Sequence, residues 1–112
     1  MAFTEGANDG ALNGAAAVTI VAAPGASARR LVRSITICNV DTADVVVTVR
    51  YVNNASTRII WSGTLEVGDT WQWGDDGSVI VLDTTTKSIT AVMGGAAATT
   101  NPDFTAGYGD AT

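Results

Sequence analysis

The 112-residue chain has no histidine, a single cysteine and only two prolines. Histidine is the commonest general base and the commonest metal ligand, so its absence weighs against both chemistries. Cys38 alone cannot close an internal disulfide, so the fold must hold by packing. A disulfide-free domain fits folding in a reducing cytoplasm. Charge is scarce too: 15% of residues carry it, against roughly 25% in ordinary soluble domains. A surface with few charges suits permanent burial against partners. Six basic and eleven acidic residues leave a net charge of -5, which argues against a nucleic-acid backbone as partner. The opening Met1-Ala2-Phe3-Thr4-Glu5 lacks the basic start and apolar run of a signal peptide. The best apolar stretch, residues 15–23, is far too short to span a bilayer. Neither nucleic acid nor membrane is therefore expected as a partner.

Apolar residues make up 46% of the chain, enough for one domain with its own core. Residues 1–14 are rich in Gly, Ala, Asn and Asp and read as a flexible N-terminal arm. Residues 17–21 form a first short strand, broken by Pro24-Gly25. Residues 30–40 form a strand in which Ile35 and Ile37 alternate with Ser34, Thr36 and Cys38. A turn at Asp41-Thr42-Ala43-Asp44 leads to residues 45–52, where Val45, Val47, Val49 and Tyr51 make the core face. Residues 58–67, 70–73, 78–83 and 87–93 complete the set. Turns recur about every ten residues, and no segment has helical periodicity. The expected fold is all-β, a Greek-key or jelly-roll-like antiparallel sandwich of about seven strands over residues 15–94. Residues 95–112 read as a flexible C-terminal arm that carries Phe104 and Tyr108.

No constellation of reactive groups emerges. Cys38 lies mid-strand with no base in reach and reads as a small buried hydrophobe. Asp69, Asp75, Asp76 and Asp83 could gather around calcium, but beside glycines they read better as turn formers. No catalytic residue, metal ligand or cofactor site is assigned. Asn54-Ala55-Ser56 has the spacing of a glycosylation acceptor and reads as a hairpin turn. Trp71 and Trp73 share one sheet face; exposed together with Trp61 they would make a platform for sugar rings. Gln72 between them supplies the outward polar position, so the indoles are expected to fill the core or cover an open end. Arg29, Arg30 and Arg33 form a basic cluster in an acidic chain and could dock on carboxylates of a partner.

The residues Leu31-Val32-Arg33-Ser34-Ile35-Thr36-Ile37-Cys38-Asn39-Val40-Asp41-Thr42-Ala43-Asp44, running into the valine-rich residues 45–52, resemble small virion proteins of tailed bacteriophages. Leu65-Glu66-Val67-Gly68-Asp69-Thr70 resembles the "L-x-x-G-D-T" hairpin of the same group. The resemblance covers about the middle half of the chain. It implies a β-sandwich virion component: a capsid decoration (cement) protein, or a small tail or fibre part. A decoration protein would be made in the host cytoplasm and sit on the capsid surface, bound to the major capsid protein. Arms that order on a neighbour lose about 1–2 kcal/mol of backbone entropy per residue. Phe3, Leu12, Phe104 and Tyr108 are the anchors expected to offset that loss, each worth roughly 1.5–3 kcal/mol when buried. Repetition in a symmetric oligomer, here expected to be a homotrimer, would strengthen such contacts.

Overall fold

Runs of β-branched residues with period-two alternation make strands, and glycine or Asn/Asp pairs end them. The computed structural model describes residues 3–74 and 76–111. Nine strands form among them: β1 Phe3–Ala11, β2 Val18–Val21, β3 Arg29–Cys38, β4 Val45–Asn53, β5 Ser56–Leu65, β6 Thr70–Trp73, β7 Ile80–Leu82, β8 Lys87–Met93 and β9 Asp103–Ala111. One sheet has the order β1-β9-β3-β6, with β7 also paired to β3; the other has the order β2-β8-β4-β5. Every pairing is antiparallel.

The order is that of a rolled double ribbon. β4 and β5 form a hairpin; outward from it β3 pairs with β6 and β7, β2 with β8, and β1 with β9. Rolling this ribbon brings β9 against β3 and β8 against β4. The result is a jelly-roll sandwich.

The core lies between the sheets. Ile35 and Ile37 of β3, Val47 and Val49 of β4, and Ile89 and Ala91 of β8 are wholly buried. Tyr51 continues the β4 face and donates its hydroxyl to the carbonyl of Val81. The alternation expected for β3 and β4 is thus the alternation observed. A register shift between Val49 and Arg50 leaves Ile60 as an extra residue on β5. Both Ile60 and Trp61 consequently pack against the core although they are consecutive.

The two flexible arms expected at residues 1–14 and 95–112 are corrected by the structure. β1 pairs with β9 along its whole length, and β9 is itself an interior strand flanked by β1 and β3. Glycine and alanine hid these strands from a reading of each segment alone. Across the pair, Tyr108 lies over Gly6 and Phe104 over Gly10. The ring covers the backbone of a partner that has no side chain of its own, which restores the packing that glycine lacks.

Candidate functional site

Arg30, the second residue of β3, lies opposite Asp110 of β9. Its Nε donates to Asp110 Oδ1 at 2.8 Å and its Nη2 to Asp110 Oδ2 at 3.0 Å. Its Nη1 donates to the carbonyl of Ala22 at 2.8 Å. The guanidinium also stands 4.1 Å from the centroid of the Tyr108 ring, a cation–π distance. The paired hydrogen bond from Arg30 holds the Asp110 carboxyl below its ordinary range, and the same bond raises Arg30. Arg30 is therefore a clamp within the chain, joining β3, β9 and the end of β2. Arg29 and Arg33 are exposed.

The other anchors named from the sequence divide in the same way. Leu12 is 1% exposed and Phe104 is 4% exposed, so both serve this chain's own core and neither is offered to a partner. Tyr108 is half-buried beneath Arg30. The side chain of Phe3 lies outside the described residues. Burial follows from the strands: residues that look like loose anchors on an arm become inward positions once the arm is a strand.

Trp61 of β5 and Trp71 of β6 belong to different sheets. Their rings stack at 4.9 Å with planes 15° apart and close the sandwich where those two strands run along its side. Trp71 and Trp73 do share a face, opposite Ile37 and Ile35, and it is the core face. Of the two expected roles, filling the core or covering an open end, the indoles take one close to the first: all three pack against the core and the stacked pair seals its side.

One polar constellation stayed unread in the sequence. Asn39 and Asp41, the two polar side chains buried among the described residues, lie between β3 and β4 at 1% and 3% exposure. Asn39 Nδ2 donates to the carbonyls of Ala43 and Leu65, and its Oδ1 accepts from the Asp41 amide. Its backbone exchanges hydrogen bonds with Asp69 and Gly68. Asp41 accepts backbone N–H groups from Thr42, Ala98, Thr99 and Thr100 and the hydroxyl of Thr99. Burial by itself would raise this carboxyl; the backbone donors outweigh it and hold the group far below the ordinary carboxylate range. The two side chains thus knit the loops after β3, β5 and β8 into one end of the sandwich. The signal available beforehand was the short polar spacing of Asn39, Asp41 and Asp44 around a turn. Its reach to residues 98–100 had no local trace.

The acidic turn residues remain apart. Asp76 accepts the amide of Ser78, and Asp83 pairs with Lys87; Asp75 lies outside the described residues. No cluster of three or more potential ligating side chains forms among the described residues. Every buried side-chain nitrogen and oxygen among them has a hydrogen-bond partner. A groove of about 280 Å³ runs beside Asp44, Val46, Met93 and residues 94–96. Asn39 and Asp41, the buried polar side chains among the described residues, thus bond mainly to the chain's own backbone.

The fold and these contacts define a jelly-roll β-sandwich. No protein-family model matches the chain, and no curated protein matches it. Its structure is similar to a subunit from disulfide-linked pili, the Bacillus endospore appendages, with a TM-score of 0.52, 14% identity, and 96% of this chain and 85% of that chain covered. It also overlays on PirA with a TM-score of 0.49, 14% identity and coverage of 93% and 92%. A chain of the cyanophage Pam1 capsid gives 0.38 at 14% identity, with 96% and 80% covered. The first likeness shows a shared fold; the other two are too loose to argue from.

Proposed function

We propose that this chain is a non-enzymatic structural subunit of a virus particle, a capsid decoration protein of a tailed phage that binds the major capsid protein. The observation that carries the reading is where the resembling stretches fall. The turn after β3 and the stretch from Leu65 to Thr70 lie far apart in sequence. They meet through the hydrogen bonds of Asn39 with Leu65, Gly68 and Asp69, and of Asp44 with the Val67 amide. Together they build one stiff loop end that presents Val40 and Val67, 42% and 56% exposed. A pre-ordered end with apolar tips can dock without the entropy cost of ordering an arm. Arg29 and Arg33 stay in the proposal as exposed cations for carboxylates of the shell. The trimer expectation rested on modest arm contacts being strengthened by repetition around a symmetric oligomer. Both arms lie in the chain's own sheet, so the proposal carries no copy number. The particle surface is the proposed location.

The test is binding of purified chain to undecorated phage shells, followed by electron microscopy of the labelled particles. Density over the capsid lattice, weakened by Val40→Asp with Val67→Asp, is the expected result. Label on tails alone would replace this reading with the second one, a tail or fibre part. That alternative draws its support from the similarity in fold to a pilus subunit. A glycan-binding role is disfavoured because the indoles pack against each other and the core.

A further inference from the structure

The two broad faces of the sandwich differ in relief and in charge. On the outer face of the β2-β8-β4-β5 sheet, Val46, Thr48 and Arg50 of β4 stand beside Thr64, Ser62 and Ile59 of β5. Thr48 and Ser62 share a hydroxyl contact of 3.0 Å there. Ile59 is 68% exposed, the most exposed of the large hydrophobics. Arg50, directly opposite Ile59, is half-buried and makes no hydrogen bond or ion pair among the described residues. The strands place no carboxylate on this face.

On the outer face of the opposite sheet the part built by β1 and β9 carries small side chains, while Arg29 and Arg33 stand exposed on its β3 side, toward the start of that strand. Ala7, Gly107 and Ser34 lie in one row across β1, β9 and β3. A Cβ added at Gly107 would come 2.9 Å from the Ser34 hydroxyl, so that row is level and shallow. Beside it Asp9 stands opposite Thr105, and Asp103 opposite Ala11. Both carboxylates are exposed, and neither has a hydrogen bond or ion pair among the described residues.

We infer that copies of this chain stack front to back, with the Arg50–Ile59 face of one copy seated on the Asp9–Asp103 face of the next. The occupant follows from complementarity. A guanidinium fork and carboxylates that have no partner among the described residues meet, and β-branched knobs meet a row of small side chains. The molecule is a slab of 46 × 28 × 20 Å, so its broad face can supply the roughly 800 Å² per partner of a standard interface. Because the faces lie on opposite sides of the slab, the contact is heterologous and extends as a column. The inference stands on the two faces and does not need shell binding. The assay uses the purified chain alone, so its outcome is separate from that of the capsid experiment.

The test is sedimentation velocity from micromolar to millimolar chain, at low and high salt. Wild type should grow with concentration and dissociate as salt rises. Arg50→Glu should weaken association by about tenfold or more, and the double variant Asp9→Lys with Asp103→Lys should do the same. Mixing the two variants should restore growth, because every contact in an alternating column is then complementary. Restoration also shows that both variants are folded. Ile59→Asp gives a second probe with no change in the arginine. A wild type that stays monomeric over the whole range overturns the inference. So does a closed dimer, or association that both variants leave unchanged, or a mixture that stays monomeric although each variant melts like wild type.

Discussion

A carboxylate that takes four backbone N–H groups in a buried turn links stability to acid. Asp41 is such a group, bound to the amides of Thr42, Ala98, Thr99 and Thr100. Its ordinary value is 3.8 and its folded value lies well below that. The sign follows directly. Stabilisation from a depressed carboxyl is complete above the unfolded value and drains away as pH falls toward the folded one. Asp110, depressed by its bond to Arg30, adds in the same direction. Thermal melts should therefore be flat from neutral pH to about 5 and fall steeply below about 4. Asp41→Asn should lower the melting temperature at neutral pH and make the acid limb shallower. An unchanged limb in that variant would remove Asp41 as its source.

At the scale of elements, glycine sets where aromatic rings can lie. A Cβ at Gly63 would come 2.8 Å from Cζ2 of Trp61. The indole cannot swing aside cheaply, since Trp71 stacks on it. Gly63→Ala should cost about 1–3 kcal/mol, as overpacking does. It should also change the near-ultraviolet circular dichroism of the stacked pair. Loss of stability with an unaltered aromatic spectrum would place the strain elsewhere. The same logic explains what could be read in advance. β3, β4 and β8 alternate β-branched residues with polar ones, so each declares its core face unaided. β1 and β9 declare nothing singly. Their pattern exists only across the pair, where Gly6 meets Tyr108 and Gly10 meets Phe104. Arg30 was legible as a cation, but its partner Asp110 is 80 positions away. Arg29 and Arg33 of the same cluster are exposed, as strand alternation around the buried Val32 allows.

At the scale of the whole molecule, the rolled ribbon makes the termini neighbours: Phe3 is the register partner of Ala111. Most pairings join segments distant in sequence, and each closes only after a large loop has been ordered. Refolding should therefore fall in the millisecond-to-second range of high-contact-order β proteins. The Trp61–Trp71 stack gives the fluorescence signal, because it forms only when β5 and β6 of opposite sheets meet. Circular permutation tests the ribbon itself. Joining the ends with a short linker and opening the chain at Asn54-Ala55 turns β9 and β1 into a local hairpin. The β4–β5 pair then becomes the most distant one. No pairing is lost, and the cut falls in an exposed turn, so the permutant should reach the same fold with the same tryptophan spectrum. Its folding rate should shift, because the loop-closure terms are redistributed while the native contacts stay. Deleting residues 1–14 is a different operation: it removes β1 and the buried Leu12 and should destabilise the sandwich. If that truncated chain kept full stability, or if the permutant failed to fold, closure of β1 on β9 would not be the step that completes the sheet.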